Sequence, residues 1–320
     1  MFFRHLALVL AALALARGEE TVTLISPRYL DGGRAVELRE GERPILCYHH
    51  GATRAPEGID PAHGRGDYIH PLYGPEGEVL TDDYPEDHPH HRAVNWSWAT
   101  LQWKGETRDL FAVRGIWARP AGRPDFRSGP MFAELTAQSR WMWDDAIPVV
   151  AEHVSIRAYR EEGGSRCIDI EIRIEALVDG LEFAGRLEAG YSGFNVRMAP
   201  GEGQEIVFHT DGPDAEPRRA WADYSAVFPG GGARAGVSIV QAESNPMYPQ
   251  DWRKYDSLNF FQPLYPGGEL IAMPKGEAVT LRYRLWIHPG RADEQRMADA
   301  WAAYNRPHET TAEHPEPQSE

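Results

Sequence analysis

The sequence predicts an all-β fold, a large antiparallel β-sandwich with one C-terminal helix, and three observations predict it. Apolar and polar residues alternate with a period of two through most of the chain. The alternating runs are punctuated by Gly, Pro and Asp clusters, and only one segment carries a helical period. The clearest run is 167–175, where Ile168, Ile170, Ile172 and Ile174 alternate with Asp169, Glu171 and Arg173. A strand places all four isoleucines on one face, whereas a helix would spread them around its circumference.

From the N-terminus, residues 1–18 have the layout of a secretory signal peptide. Arg4 lies in a short positive leader, Leu6 to Ala16 is unbroken apolar sequence, and Ala14, Ala16 and Gly18 offer a cleavage site. The apolar run is shorter than the roughly 20 residues that span a bilayer, and no Cys follows it to carry a lipid. The expectation is a periplasmic or secreted bacterial protein with no membrane anchor after cleavage. Residues 19–306 read as one domain, since no linker or internal repeat divides them. Strands are expected at 21–25, 34–39, 43–48, 95–103, 132–143, 149–159, 167–175, 203–209, 236–241 and 278–288. Residues 51–87, polar and rich in Gly, Pro and His, are expected to be a long loop. A helix is expected at 291–304, where Met297, Ala300, Trp301 and Tyr304 recur at three- and four-residue steps. Residues 307–320 turn polar and Pro/Glu-rich and are expected to be a disordered tail.

The net charge of −15 and pI near 5.3 argue against a nucleic-acid partner. Oligomeric state is not legible. Cys47 and Cys167 are the two cysteines. Export would allow them to pair, and each also suits a small buried apolar position within a strand.

Chemistry concentrates at the end of the expected loop. Seven of the 13 histidines (His49, His50, His63, His70, His88, His90 and His91) fall between Cys47 and Val94. They stand among Asp83, Asp87 and Arg92 and lead into the aromatic pair Trp96 and Trp98. Imidazole exchanges protons near neutral pH, so His70, His88 and His90 are candidate acid–base groups, with Asp83, Asp87 or the more distant Glu188 as the catalytic carboxylate partner. A divalent metal on His88, His90 and His91 is the alternative, although Pro89 and the spacing match no helical metal motif. A structural role, tying the loop to itself, is the third reading. No cofactor is otherwise implied.

Residues 188–198 form a second candidate group. Glycines flank a strand expected to expose Glu188, Tyr191 and Arg197, which could hold a hydroxylated or carboxylated ligand or form an ordinary ion pair. The third is the aromatic and amide-rich stretch 245–261, with Asn245 and Asn259 as candidate ligand contacts. No nucleophile elbow, P-loop, dinucleotide fingerprint or EF-hand loop occurs.

The motifs Tyr68-Ile69-His70-Pro71-Leu72-Tyr73, Leu80-Thr81-Asp82-Asp83-Tyr84-Pro85 and Asp87-His88-Pro89-His90-His91-Arg92 resemble the bacterial methane oxygenase PmoA-like family. Residues 188–198 and 280–290 fit the same resemblance, which covers most of the body. Leu187 stands where a lysine is common in that family, so no lysine role carries over. The resemblance implies a galactose-mutarotase-like supersandwich, a fold that hosts epimerases, lyases and carbohydrate-binding modules. It does not imply a membrane oxygenase here, because no segment after the leader is long and apolar enough to span a bilayer. The expected function is therefore carbohydrate-active, with His and carboxylate groups serving epimerisation, elimination or hydrolysis. Arg92, Trp96, Trp98, Tyr191 and Arg197 would contact the sugar. A non-catalytic carbohydrate-binding module is the rival expectation, and a metal-dependent enzyme is the other.

Overall fold

The computed structural model describes residues 23–209 and 218–306. The expected signal peptide and C-terminal tail lie outside the described residues. Two large antiparallel sheets face each other. The first has eight strands in the order Ile25–Leu30, Ala35–Glu40, Arg43–His49, Tyr68–Leu72, Val94–Ser97, Gly193–Arg197, Phe260–Pro263 and Trp252–Tyr255. The second runs Glu202–Phe208, Trp221–Val227, Arg234–Gln241, Ala278–Pro289, Arg166–Ala176, Ile147–Tyr159, Phe132–Trp143 and Ile116–Pro120, with Asp125–Ser128 also paired to Phe132–Trp143. A smaller sheet, Ile271–Met273, Leu181–Ala184, Thr100–Trp103 and Glu106–Arg108, lies beside them.

Alternation sets the packing. Ile168, Ile170, Ile172 and Ile174 are buried, while Arg173 on the opposite face is exposed. Between the sheets, Phe194 of the first stacks on Tyr283 of the second with ring centroids 4.4 Å apart, and Trp98 packs on Trp141 at 5.4 Å. Cross-sheet aromatic contacts of this kind add to the area term that holds a sandwich together.

The helix forms at Glu294–Asn305, three residues later than expected at its start, because the Asp293 carboxylate caps it by accepting the Arg296 N–H at 2.9 Å. Its predicted stripe packs as expected: Met297 is buried against Trp221, Val240 and Trp286, with Trp301 and Tyr304 alongside.

One expectation is corrected. Residues 51–87 are not free of strands, since Tyr68–Leu72 joins Arg43–His49 and Val94–Ser97. That strand has no clean alternation, because both of its faces are covered. The thiols of Cys47 and Cys167 are free, one in each large sheet, and do not pair.

What positions the site is a second burial. Central strands Val94–Ser97, Gly193–Arg197 and Phe260–Pro263 are buried at every residue. Val94, Trp96, Phe194, Val196 and Phe261 enter the core between the sheets. The alternating residues Asn95, Ser97, Asn195, Arg197 and Gln262 form a polar layer on the other face. Asn95 and Asn195 sit directly opposite each other and share an amide hydrogen bond of 2.7 Å. The segment carrying the histidines lies over this layer: the Asp82 N–H donates to Arg197 O at 3.0 Å, and Thr81 bridges Met198.

Candidate functional site

Four imidazoles gather where the segment crosses the polar layer. The rings of His88 and His91 stack at 4.7 Å, His90 meets His91 edge-on at 4.7 Å, and His63 lies 6.2 Å from His90. The local chain makes this compact: the His88 N–H donates to Pro85 O and the His91 N–H to His88 O, so the prolines and two tight turns fold the run back on itself. Phe111 and Phe260 close the inner side, at 5.5 Å from His90 and 4.9 Å from His91. Half-buried Tyr191 and Tyr255 follow at the rim, perpendicular to each other at 6.3 Å.

Arg197 anchors this group from the sheet below. It is buried, and its Nη2 lies 2.8 and 3.1 Å from the two Asp87 oxygens, a bifurcated, charge-assisted contact from one nitrogen that holds the carboxylate. Its Nη1 reaches His91 Nδ1 at 3.5 Å, which casts that nitrogen as an acceptor. Asp87 in turn lies 3.4 Å from His88 Nδ1, and this pair faces solvent, with side chains 42% and 38% exposed. Partial burial works against the Asp87 charge, but hydrogen bonding and charge from Arg197, then His88, hold its carboxyl below the usual range. Burial first, then the neighbouring imidazoles and arginines, push His90 down to about 4 and His91 to about 2. Both are therefore neutral at physiological pH.

A second cluster adjoins the first. Asp83 accepts from Tyr68 Oη at 3.1 Å and lies 3.4 Å from Arg92 Nε. Burial raises its carboxyl to about 6 against the opposing charge of Arg92. His70 is lowered to about 4 by burial, then by His49 and Arg92, and its Nδ1 pairs with Thr81 Oγ1 at 3.1 Å. The same hydroxyl accepts the Leu72 N–H, which leaves its proton available to a neutral His70.

The structure thus brings Asp87, His88, His90, His91 and Arg197 together, with Asp83 and His70 in the neighbouring cluster. It separates others from the site. Arg92 is 0% exposed and commits its donors to the carbonyls of Pro89, His91 and His63, with its guanidinium 3.3 Å over the Tyr84 ring. It shapes the loop and does not reach a ligand. Trp96 and Trp98 are buried between the sheets, on the face opposite the histidines, so they build no ligand wall. Glu188 is exposed on the turn after Arg186 and bonds to none of the histidines. Asn245 pairs with the backbone of Arg282 in the second sheet. Asn259 accepts from Tyr224 Oη at 3.2 Å beside the Arg197 strand. For the metal alternative, no group of three or more His, Cys, Asp or Glu among the described residues is placed to hold an ion. The rings of His88, His90 and His91 meet face and edge, which does not aim three lone pairs at one point.

Sequence reasoning missed Phe111, which belongs to a distant segment with no local signature, whereas Phe260 falls within the aromatic stretch 245–261. It also missed a buried Ser238, His288 and Asp223 group behind a cavity of about 420 Å³. There Asp223 Oδ1 takes both bonds, from Ser238 Oγ at 2.6 Å and His288 Nε2 at 2.9 Å. Ser238 Oγ also lies 3.4 Å from His288 Nε2, but that same nitrogen faces Asp223, where a triad uses the two ring nitrogens separately, and Ser238 is fully buried, so the order of a catalytic triad is not met.

The model of a family of unknown function, DUF6807, matches residues 35–302, and the chain belongs to that family. No curated protein matches. Among solved structures, the chain is similar to the galactosidase domain of alpha-galactosidase-sucrose kinase, AgaSK, at 12% identity and a TM-score of 0.39. That alignment covers 83% of this chain and 42% of the other.

Proposed function

We propose that this member of the family is an exported protein that binds a carbohydrate at the histidine rim and moves a proton on it. The observation that carries the reading is the solvent-facing His88–Asp87 pair, held from below by buried Arg197 and flanked by an imidazole kept neutral. In this reading His88 is the proton donor and acceptor. Asp87 orients its ring and stabilises the imidazolium, and Arg197 keeps Asp87 ionised and in place. Neutral His90 supplies a complementary acceptor. Tyr191 and Tyr255 offer ring faces to the apolar side of a sugar, with their hydroxyls toward its oxygens. Such a pair serves epimerisation, elimination or hydrolysis alike. Export rests on the leader-like segment 1–18.

The test is a panel of oligosaccharides and keto-sugars assayed for binding and turnover with the wild type, His88→Gln and Asp87→Asn. Turnover lost in both variants while affinity changes by less than about threefold supports the enzyme reading. Binding without turnover in the wild type would leave a carbohydrate-binding module. No binding to any sugar would refute the proposal.

A further inference from the structure

We infer that the sugar taken at the histidine rim carries an anionic substituent, a carboxylate or a sulfate ester, seated by Arg114 and Arg186 in an adjoining cavity. The inference rests on the carbohydrate reading above and names the ligand class for it.

The cavity has a volume of about 310 Å³ and is lined by Thr100, Gln102, Arg108, Asp109, Arg114 and Arg186, among others. Three guanidinium groups face one carboxylate there, on a chain whose net charge is −15. Most of this charge is already engaged. Asp109 accepts the Ala112 N–H at 2.8 Å and Arg186 Nη2 at 2.9 Å, so both of its oxygens are used. Arg108 is held by Asp144 at 2.9 and 3.0 Å and by Glu106 at 2.7 Å. Arg114 differs. It is exposed, and its backbone closes a tight pair with Asp109 at 3.1 and 2.7 Å. Its guanidinium makes no hydrogen bond or ion pair among the described residues. An unengaged guanidinium beside a second one is suited to two-point recognition of a planar carboxylate or a sulfate.

The same turn joins the cavity to the histidines. Residues 109–114 present Phe111 to His90 and His91, at 5.5 and 5.4 Å, and Arg114 to the cavity. Arg186 continues the connection, since its Nε donates to Tyr191 Oη at 3.1 Å and the Tyr191 ring packs 6.0 Å from Phe111. A sugar ring lying against Tyr191 would therefore have a substituent within reach of Arg114, while its other edge meets the imidazoles.

The experiment measures binding of three oligosaccharides matched in length and linkage, a galactose oligomer, its galacturonate counterpart and its sulfated counterpart. Wild type and Arg114→Gln are compared at low and high salt by calorimetry. The expected result is a preference of on the order of tenfold for one or both acidic oligomers. It should weaken with salt and fall below about threefold in the variant, with neutral binding kept. The acidic arm that binds identifies carboxylate or sulfate. Equal binding of neutral and acidic oligomers, or a preference that survives in Arg114→Gln, overturns this inference and leaves the carbohydrate reading standing. Failure of all three to bind also overturns this inference, and the carbohydrate reading is then decided by the full panel above.

Discussion

Glu152 is the residue whose replacement tests the electrostatics of this fold most directly. It is buried between the sheets, and its two oxygens accept the indole N–H groups of Trp96 and Trp141, each at 2.6 Å. Burial raises its carboxyl well above the usual glutamate range, and the negative charge of nearby Asp67 adds to this. In Glu152→Gln one indole keeps an acceptor and the other faces an amide donor. A buried unsatisfied donor costs about 1–3 kcal/mol. The variant should therefore be less stable at about pH 5.5, where the wild-type carboxyl is protonated in the fold.

The pH dependence then runs against the wild type. Above the ordinary glutamate value of about 4.3 the unfolded chain releases a proton that the folded chain retains, so folding takes up a proton and stability falls as pH rises. The slope for one group is at most about 1.4 kcal/mol per pH unit, and it ends once pH passes the folded value. Between about pH 5.5 and 7.5 the wild-type advantage over Glu152→Gln should shrink by up to roughly 2.7 kcal/mol, enough to cancel or reverse it. Urea unfolding followed by tryptophan fluorescence at three pH values measures this, because other titrating groups cancel in the comparison. A difference that stays constant within about 0.5 kcal/mol across that range would refute the reasoning, since the carboxylate would then titrate alike in both states.

Other outcomes follow from the same coordinates. Met297→Ala, deleting the side chain that seats the helix on Trp221 and Trp286, should cost about 2–4 kcal/mol in thermal or urea unfolding. Asp293→Ala removes the helix cap and should cost about 1 kcal/mol, with Asp293→Asn nearly neutral. Burial pushes the Cys47 thiol up to about 12, so in the native protein it should resist a thiol reagent at about pH 8 and react only on unfolding. A reductant should leave the melting temperature unchanged. Arg197→Lys replaces a guanidinium that reaches Asp87 and His91 through two nitrogens by a single ammonium, and should lower any turnover by on the order of tenfold or more, with a smaller effect on the melting temperature.

The sequence specifies the sandwich and its helix. Alternation at Ile168 to Ile174 and the three- and four-residue steps at Met297, Trp301 and Tyr304 are local consequences of backbone geometry, so they are readable one segment at a time. It also pointed to the segment that gathers the histidines, because their density is a property of the chain. What each side chain does is set by packing between segments. In Val94–Ser97 and Gly193–Arg197 alternation separates Trp96 from Asn95, but both faces are buried, so it does not tell that the polar face lies under the loop and not in solvent. Arg92 and Arg197 look alike in sequence, yet one binds carbonyls inside the loop and the other orients a carboxylate at its surface. Arg92 finds its partners within 29 residues, inside the loop itself, whereas Arg197 meets Asp87 across 110 residues and Asn95 meets Asn195 across 100. Proximity of that second kind is fixed by the way the sheets pack and the loop lies over them, not by the order of residues along the chain.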